Sequence, residues 1–330
     1  MGNSNSSEAL DFEYNVTASH YTPVRKFQDF LLGEFFEIKH NTSNELLLMK
    51  VRVTSDKSQY QNMIESCFQR ASLLHKNLVK FHGYAGRESS GTFSTTTYKL
   101  YLYFQTLPKD LARIIKTKKG ANQPRSAHKN YFSEVELHRM MTQFVEVMEF
   151  LQVNKISHGD LRPEACFLTD DGTFMVADRR LLYEEELNYE VDKPSDKNYL
   201  FSPMALDAYV KGEKESRENR FKADVFSAGM TLLECATFRR SANVYEWGGQ
   251  PSINKESIFA RLSEMQNRYS PRIVQVIAEM LRFEEPVRPD FVRVKRWLTG
   301  LEPIGIINPH SSSPFKQSPH KVRILVRNLV

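Results

Sequence analysis

Apolar positions follow two different periods along the chain. In the first third, "ELLLMKVRV" (45–53) reads as a buried strand passing into alternation, and "YKLYLYF" (98–104) as a second strand. Between them Met63, Cys67, Phe68, Ala71 and Leu74 recur at helical spacing, so residues 27–103 predict short strands around one helix. After the hinge-like "QTLPKD" the period changes. Leu137, Met141, Phe144, Met148 and Leu151 step by four and three, which predicts one apolar stripe on a long amphipathic helix. "CFL" and "TFMVA", separated by the turn "TDDG", predict a small hairpin. The stretch "FKADVFSAGMTLLECATF" (221–238) is apolar almost all round, as a helix in the core of a large lobe must be, and further helical patterns fill 256–299.

The ends differ from this interior. Residues 1–25 are polar, rich in Ser and Asn, and read as a disordered tail. Residues 301–330 form a Pro- and Ser-rich tail without acids after Glu302, ending in "KVRILVRNLV". That apolar-basic end reads either as a docking segment or as a frayed terminus.

Composition adds limited constraints. With 330 residues, 41% hydrophobic and 26% charged, the chain has enough material for a two-lobed soluble protein. A net charge of +5 makes no case for nucleic acid. Locally, Leu111 to Ser133 contains no acid but holds Arg113, Lys116, Lys118, Lys119, Arg125 and Lys129. This segment reads either as a solvated basic loop or as a docking patch for an acidic partner or membrane surface. Cys67, Cys166 and Cys235 each sit in apolar runs without metal-ligand spacing, which predicts buried free thiols in a reducing compartment. No signal peptide and no membrane-length apolar run is seen, so the expected location is cytoplasmic, peripheral at a membrane if acylated. "MGNSNS" fits the pattern for myristoylation of Gly2, a short pattern that polar tails also produce by chance. Thr22-Pro23, Ser313-Pro314 and Ser318-Pro319 match proline-directed phosphorylation dipeptides.

Several stretches, taken in order, carry a resemblance. They are "LLMK" ending at Lys50, "LLHKNLV" (73–79), "HGDLRPEA" (158–165), "VADRR" (176–180), "FSPMAL" (201–206), "KADVFSAG" (222–229) and "EEPVRPD" (284–290). Together they resemble the eukaryotic protein kinase superfamily over roughly residues 27–300. The resemblance implies an α+β, two-lobed fold. Its N-lobe (26–106) is a small antiparallel sheet with one helix, and its C-lobe (107–300) is larger and mainly helical.

It also implies site roles. Lys50 matches the strand lysine that holds nucleotide phosphates, Asp160 the catalytic aspartate, and Asp178 the magnesium aspartate. Gly33 is the lone glycine in the strand region "FQDFLLGEFFEIKH" (27–40), and Glu65 is the nearest acid to the position that pairs with the lysine. The implied cofactors are ATP and Mg²⁺.

The departures are as informative. Ala165 replaces a metal-binding asparagine, and its methyl cannot ligate a hard cation. Losing one ion removes charge stabilisation, and about 4 kcal/mol would be roughly a thousandfold in rate. Arg179 and Arg180 replace the phenylalanine and glycine of the metal-binding segment, and Gly159 replaces the arginine that receives an activation-loop phosphate. Glu184, Glu185 and Glu186 imitate phosphate charge, but that usual receiver is absent. The glycine-rich loop is missing, and Leu48 replaces a small alanine whose space adjoins the adenine. Met204 replaces the glutamate that pairs with Arg288, so Arg288 is expected to use Glu284, Glu285 or Asp290, or to stay solvated; Asp224, which braces the catalytic loop, is kept.

The resulting expectation is a pseudokinase acting as scaffold or allosteric partner of signalling proteins. The alternative is a divergent Ser/Thr kinase using Lys50, Asp160 and Asp178 with one metal.

Overall fold

The computed structural model describes residues 20–29, 33–90, 96–121, 131–177, 199–213 and 216–304. The chain divides into two units. One comprises residues up to Pro108 with 176–186, the other Lys109–Met175 with 187–330. Gly2, Asp178, Arg179, Arg180, Glu184–Glu186, Ser313, Ser318 and the segment from Lys321 lie outside the described residues.

The first unit is a five-stranded antiparallel sheet of β1 (Tyr21–Asp29), β2 (Gly33–His40), β3 (Leu46–Thr54), β4 (Phe81–Ser90) and β5 (Thr96–Gln105), ordered β1-β2-β3-β5-β4. Strand β1 begins inside the stretch that its polarity assigned to the tail. Its outward charges find cross-strand partners, Arg25 with Glu37 at 2.9 Å and Lys26 with Glu34 at 2.5 Å. Pro23 is accommodated where the register shifts between Pro23 and Arg25. The hydroxyl of Thr22 donates to Asn41 Oδ1 at 2.6 Å.

Strand β3 reads as a continuous apolar run because both sheet faces are buried. On one face Tyr21, Ile38, Leu47 and Tyr103 form a cluster joined by Phe36, Met49 and Tyr101. The alternation of β2, β3 and β5 puts Phe35, Leu48, Lys50, Leu102 and Phe104 on the other. Helix α1 (Lys57–Ala71), capped by Asp56 accepting from the Ser58 and Gln59 amides, crosses this second face. Tyr60 stacks on Tyr98 at 4.9 Å between centroids. It lies so close to Gly86 that a Cβ there would be 2.0 Å from the Tyr60 hydroxyl, so a side chain at this strand position requires the Tyr60 ring to move. The predicted helical stripe is only partly inward: Cys67 is buried, while Phe68 and Leu74 are 44% and 72% exposed.

The second unit is mainly helical. Its described elements are α2 (Leu111–Ala121), α3 (Glu134–Val153), α4 (Pro203–Val210), α5 (Arg220–Thr237), α6 (Lys255–Met265), α7 (Pro271–Met280) and α8 (Phe291–Thr299). A small sheet is ordered β6 (Lys109–Asp110), β7 (Cys166–Leu168), β8 (Phe174–Val176), and β9 (Tyr245–Glu246) pairs with β10 (Ser252–Ile253). Helix α3 starts at a capping box in which Ser133 and Glu136 satisfy each other's backbone amides. Its stripe of Leu137, Met141, Phe144, Met148 and Leu151 is buried throughout. Gln152 ties α3 to the start of α8: its amide donates to Asp290 Oδ2 at 3.0 Å and its carbonyl accepts from the Phe291 amide at 3.0 Å. Helix α5 is buried along most of its length, as its all-round apolar sequence requires. The three cysteines are free and buried.

Candidate active site

In the first unit, Lys50 stands in the middle of β3, paired across to Leu102 of β5, and is only 1% exposed. Its ammonium lies 5.2 Å from the centre of the Phe35 ring, a cation–π contact from the neighbouring strand β2. Phe35 is fully buried, and Phe27 of β1 stacks against it at 5.8 Å. Leu48, two residues before Lys50 and on the same face, is also buried, opposite Phe104. The lysine head therefore has an aromatic ring of the glycine-poor strands as one of its neighbours. Gly33 opens β2 at a positive φ of 74°. Glu65 is on an exposed face of α1, and among the described residues no ion pair joins it to Lys50. Val176, which belongs to this first unit, donates its amide to the Asn77 carbonyl at 2.9 Å while its carbonyl accepts from the Val79 amide at 3.0 Å.

In the second unit, the loop 157–162 is held by Asp224 of α5. One carboxylate oxygen accepts from the His158 amide and the other from the Gly159 amide, each at 2.7 Å. Bonds to a charged acceptor are about twice as strong as neutral ones, and this pair fixes two successive peptide planes. Gly159 adopts φ 79°, which glycine takes without the clash a Cβ would bring. The His158 ring folds back so that Nδ1 accepts from the Asp160 amide at 3.2 Å. A 3-10 turn, Pro163–Ala165, then leads into β7 and buries Ala165 completely.

Asp160 does not face the site alone. Its Oδ2 pairs with Arg162 Nη2 at 2.9 Å, and both side chains are 3% exposed. The guanidinium in turn lies 4.9 Å from the centre of the Tyr199 ring. Glu164, next along the loop, has its carboxyl pushed above the usual range by burial, with Arg240 3.7 Å away acting against that shift. The residues gathered here are thus Asp160, Arg162, Tyr199 and Asp224. Of these, Arg162 and Tyr199 carried no expectation from sequence. Arg162 lies inside the quoted "HGDLRPEA", but nothing local shows that an arginine two residues from an aspartate turns inward to meet it. Phe35 was legible as bulk in a glycine-poor strand, not as a cation–π neighbour of Lys50.

Arg288 finds a different acid from those expected. Glu284, Glu285 and Asp290 are sequence neighbours, yet the guanidinium pairs with Glu218, which also accepts from the Ser202 hydroxyl. Asp290 is engaged elsewhere, as the cap of α8. Short-range counting missed Glu218 because it enters from the loop before α5.

Comparison with known proteins agrees with this arrangement. The family model for protein tyrosine and serine/threonine kinases matches residues 26–298. Among curated relatives, serine/threonine-protein kinase Nek6 of Oryza sativa subsp. japonica is 24% identical over 263 residues, covering 78% of this chain and 43% of the relative. Cyclin-dependent kinase 9 of Danio rerio is 25% identical over 174 residues, covering 52% of this chain and 44% of the relative. The membrane-associated tyrosine- and threonine-specific cdc2-inhibitory kinase wee-1.3 of Caenorhabditis elegans is 26% identical over 240 residues, covering 70% and 31%. The chain spans less than half the length of these relatives. With its antiparallel five-stranded sheet unit, its helical unit and this match over most of its length, the chain belongs to the protein tyrosine and serine/threonine kinase family.

Proposed function

We propose that this chain is a pseudokinase: a kinase-fold scaffold or allosteric partner of signalling proteins that transfers phosphate poorly or not at all. The observation that carries this reading is the Phe35 ring over the buried ammonium of Lys50. Family membership implies ATP and Mg²⁺, and on this reading the residues present fit them poorly. On this reading the Phe35 ring obstructs a nucleotide phosphate approaching Lys50, and Leu48 adds bulk on the same sheet face. Ala165 offers no oxygen where the family places a metal ligand.

A second reading is favoured by one feature. The bracing of His158 and Gly159 by Asp224 keeps Asp160 in a formed loop, as a divergent Ser/Thr kinase using Lys50, Asp160 and Asp178 requires. Incubating the full chain with Mg-ATP and generic protein substrates tests between them. Little incorporation is expected, and robust transfer that disappears on Asp160→Asn overturns the proposal.

A further inference from the structure

Three residues among those described are a serine or threonine followed by proline, and the fold treats them differently. Ser202 caps α4 and is 1% exposed, with its hydroxyl donating to Glu218. Ser270 precedes α7, where Pro271 starts the helix and coils the chain at once. Thr22 is on strand β1, and Thr22, Pro23, Val24, Arg25 and Lys26 are all exposed. Strand β1 is outermost in its sheet, so one of its edges has no neighbouring strand among the described residues.

The surroundings of Thr22 suit a phosphate. Thr22 stands opposite Lys39 of β2 in the register, which places both side chains on one sheet face. Lys39 is exposed, and among the described residues no ion pair engages its ammonium. The acids further along the hairpin are taken, Glu37 by Arg25 and Glu34 by Lys26. The Thr22 hydroxyl donates to Asn41 Oδ1 at 2.6 Å. A phosphate on this oxygen would carry roughly −1.5 to −2 charge at pH 7 and face a lysine, not a carboxylate.

We propose that Thr22 is a modification site, phosphorylated by a separate proline-directed kinase, and that Lys39 holds the resulting phosphate. In the transfer, Thr22 Oγ1 attacks the γ-phosphorus of the ATP bound to that enzyme. The Oγ1–P bond forms as the bond from phosphorus to the β–γ bridging oxygen breaks, ADP leaves, and the hydroxyl proton passes to the enzyme's base. Pro23 sets the selectivity. It has no amide hydrogen, so an enzyme can bury the position after the hydroxyl without stranding a donor. Presentation requires the start of β1 to lift from β2. The register shift between Pro23 and Arg25 already interrupts the ladder there, and strand ends open at low cost. Once modified, the Thr22–Lys39 pair ties the start of β1 to β2, the strands that carry the stacked Phe27 and Phe35. The inference is independent of whether this chain itself transfers phosphate.

The test incubates the full chain with a purified proline-directed kinase and Mg-ATP, using Ser313→Ala with Ser318→Ala so that one phosphate is read. Peptide mass mapping is expected to place that phosphate on Thr22. Pro23→Ala is expected to slow its formation by about tenfold or more, the cost of one stranded donor. The ³¹P resonance of phosphorylated Thr22 is expected to titrate at a lower pH with Lys39 present than in Lys39→Gln, because the ammonium favours the dianion. Melting curves establish that each variant is folded. Phosphate on a synthetic 18–28 peptide but not on the folded chain would overturn the proposal, because the strand would then withhold Thr22. Equal rates with Pro23→Ala, a ³¹P titration unmoved by Lys39→Gln, or Thr22 phosphate formed without the added kinase would each overturn it too.

Discussion

Arg288 and Glu218, 70 residues apart, form an ion pair whose side chains are 0% and 1% exposed. The guanidinium also donates to the carbonyls of Arg282 at 2.6 Å, Lys222 at 3.0 Å and Phe283 at 3.0 Å, and it lies over the Phe226 ring. The family position that normally supplies the acid holds Met204, which is 38% exposed at the start of α4. Arg288 is paired here with a carboxylate from the loop before α5.

Removing that carboxylate leaves a buried cation without its counter-charge, which typically costs about 3–5 kcal/mol. Glu218→Ala is expected to lower unfolding free energy by about that much, measured by urea denaturation. A loss under about 1 kcal/mol would mean that the backbone carbonyls alone hold Arg288.

The Phe35 ring beside Lys50 gives a gain-of-binding prediction. Phe35→Val removes the ring but keeps a β-branched strand former, at an expected cost of about 2 kcal/mol from the cavity left behind. If Phe35 is what excludes nucleotide, millimolar ATP should raise the melting temperature of this variant while leaving the parent unmoved. Titration with and without Mg²⁺ separates phosphate binding from metal-dependent binding. Equal ATP stabilisation of both proteins would show that the ring is no barrier.

The catalytic-loop brace can be read at single amides. Asp224→Asn leaves one acceptor for the two N–H donors of His158 and Gly159. Losing a charge-assisted bond and stranding a buried donor should cost about 2–4 kcal/mol. Hydrogen exchange at these two amides should accelerate well beyond that in α3, which the brace does not touch. Uniform acceleration across the second unit would mean that Asp224 acts through global stability instead.

How much of this was readable from sequence depended on the range of the interaction. The α3 stripe from Leu137 to Leu151 was fully legible, because helical burial is set by residues three and four apart. The α1 stripe was less so: Phe68 and Leu74 have the right spacing, but α1 ends at Ala71, before Leu74, and both side chains are exposed. Strand β4 (Phe81–Ser90) was not predicted, since its glycines and charges mask a periodicity completed by β5. Gly86 there leaves room for the hydroxyl of Tyr60 from another element, a contact invisible in the β4 sequence. In the site, Lys50 and Asp160 could be located by motif, yet their present neighbours, Phe35 and Arg162, are decided by side-chain direction.

A buried carboxyl on α5 makes the protein's stability depend on pH near neutrality. Burial raises Glu234 from an ordinary 4.5 to about 7, and the neighbouring Glu164 charge adds to the shift. The Ser241 amide, donating at 2.6 Å, opposes it, as do Arg240 and Arg261. Between about pH 4.5 and 7 the unfolded chain has released this proton while the folded one retains it. The folded state then binds more protons, so stability falls as pH rises through that window and levels off above it. The full effect is about 3 kcal/mol. Glu234→Gln keeps a carbonyl acceptor for Ser241 but cannot ionise. Its stability relative to the parent, measured by urea denaturation at several pH values, should increase by up to that amount from pH 4.5 to above 7. A difference that stays constant across the range would show that Glu234 is already ionised in the folded protein, held by Arg240 and Arg261.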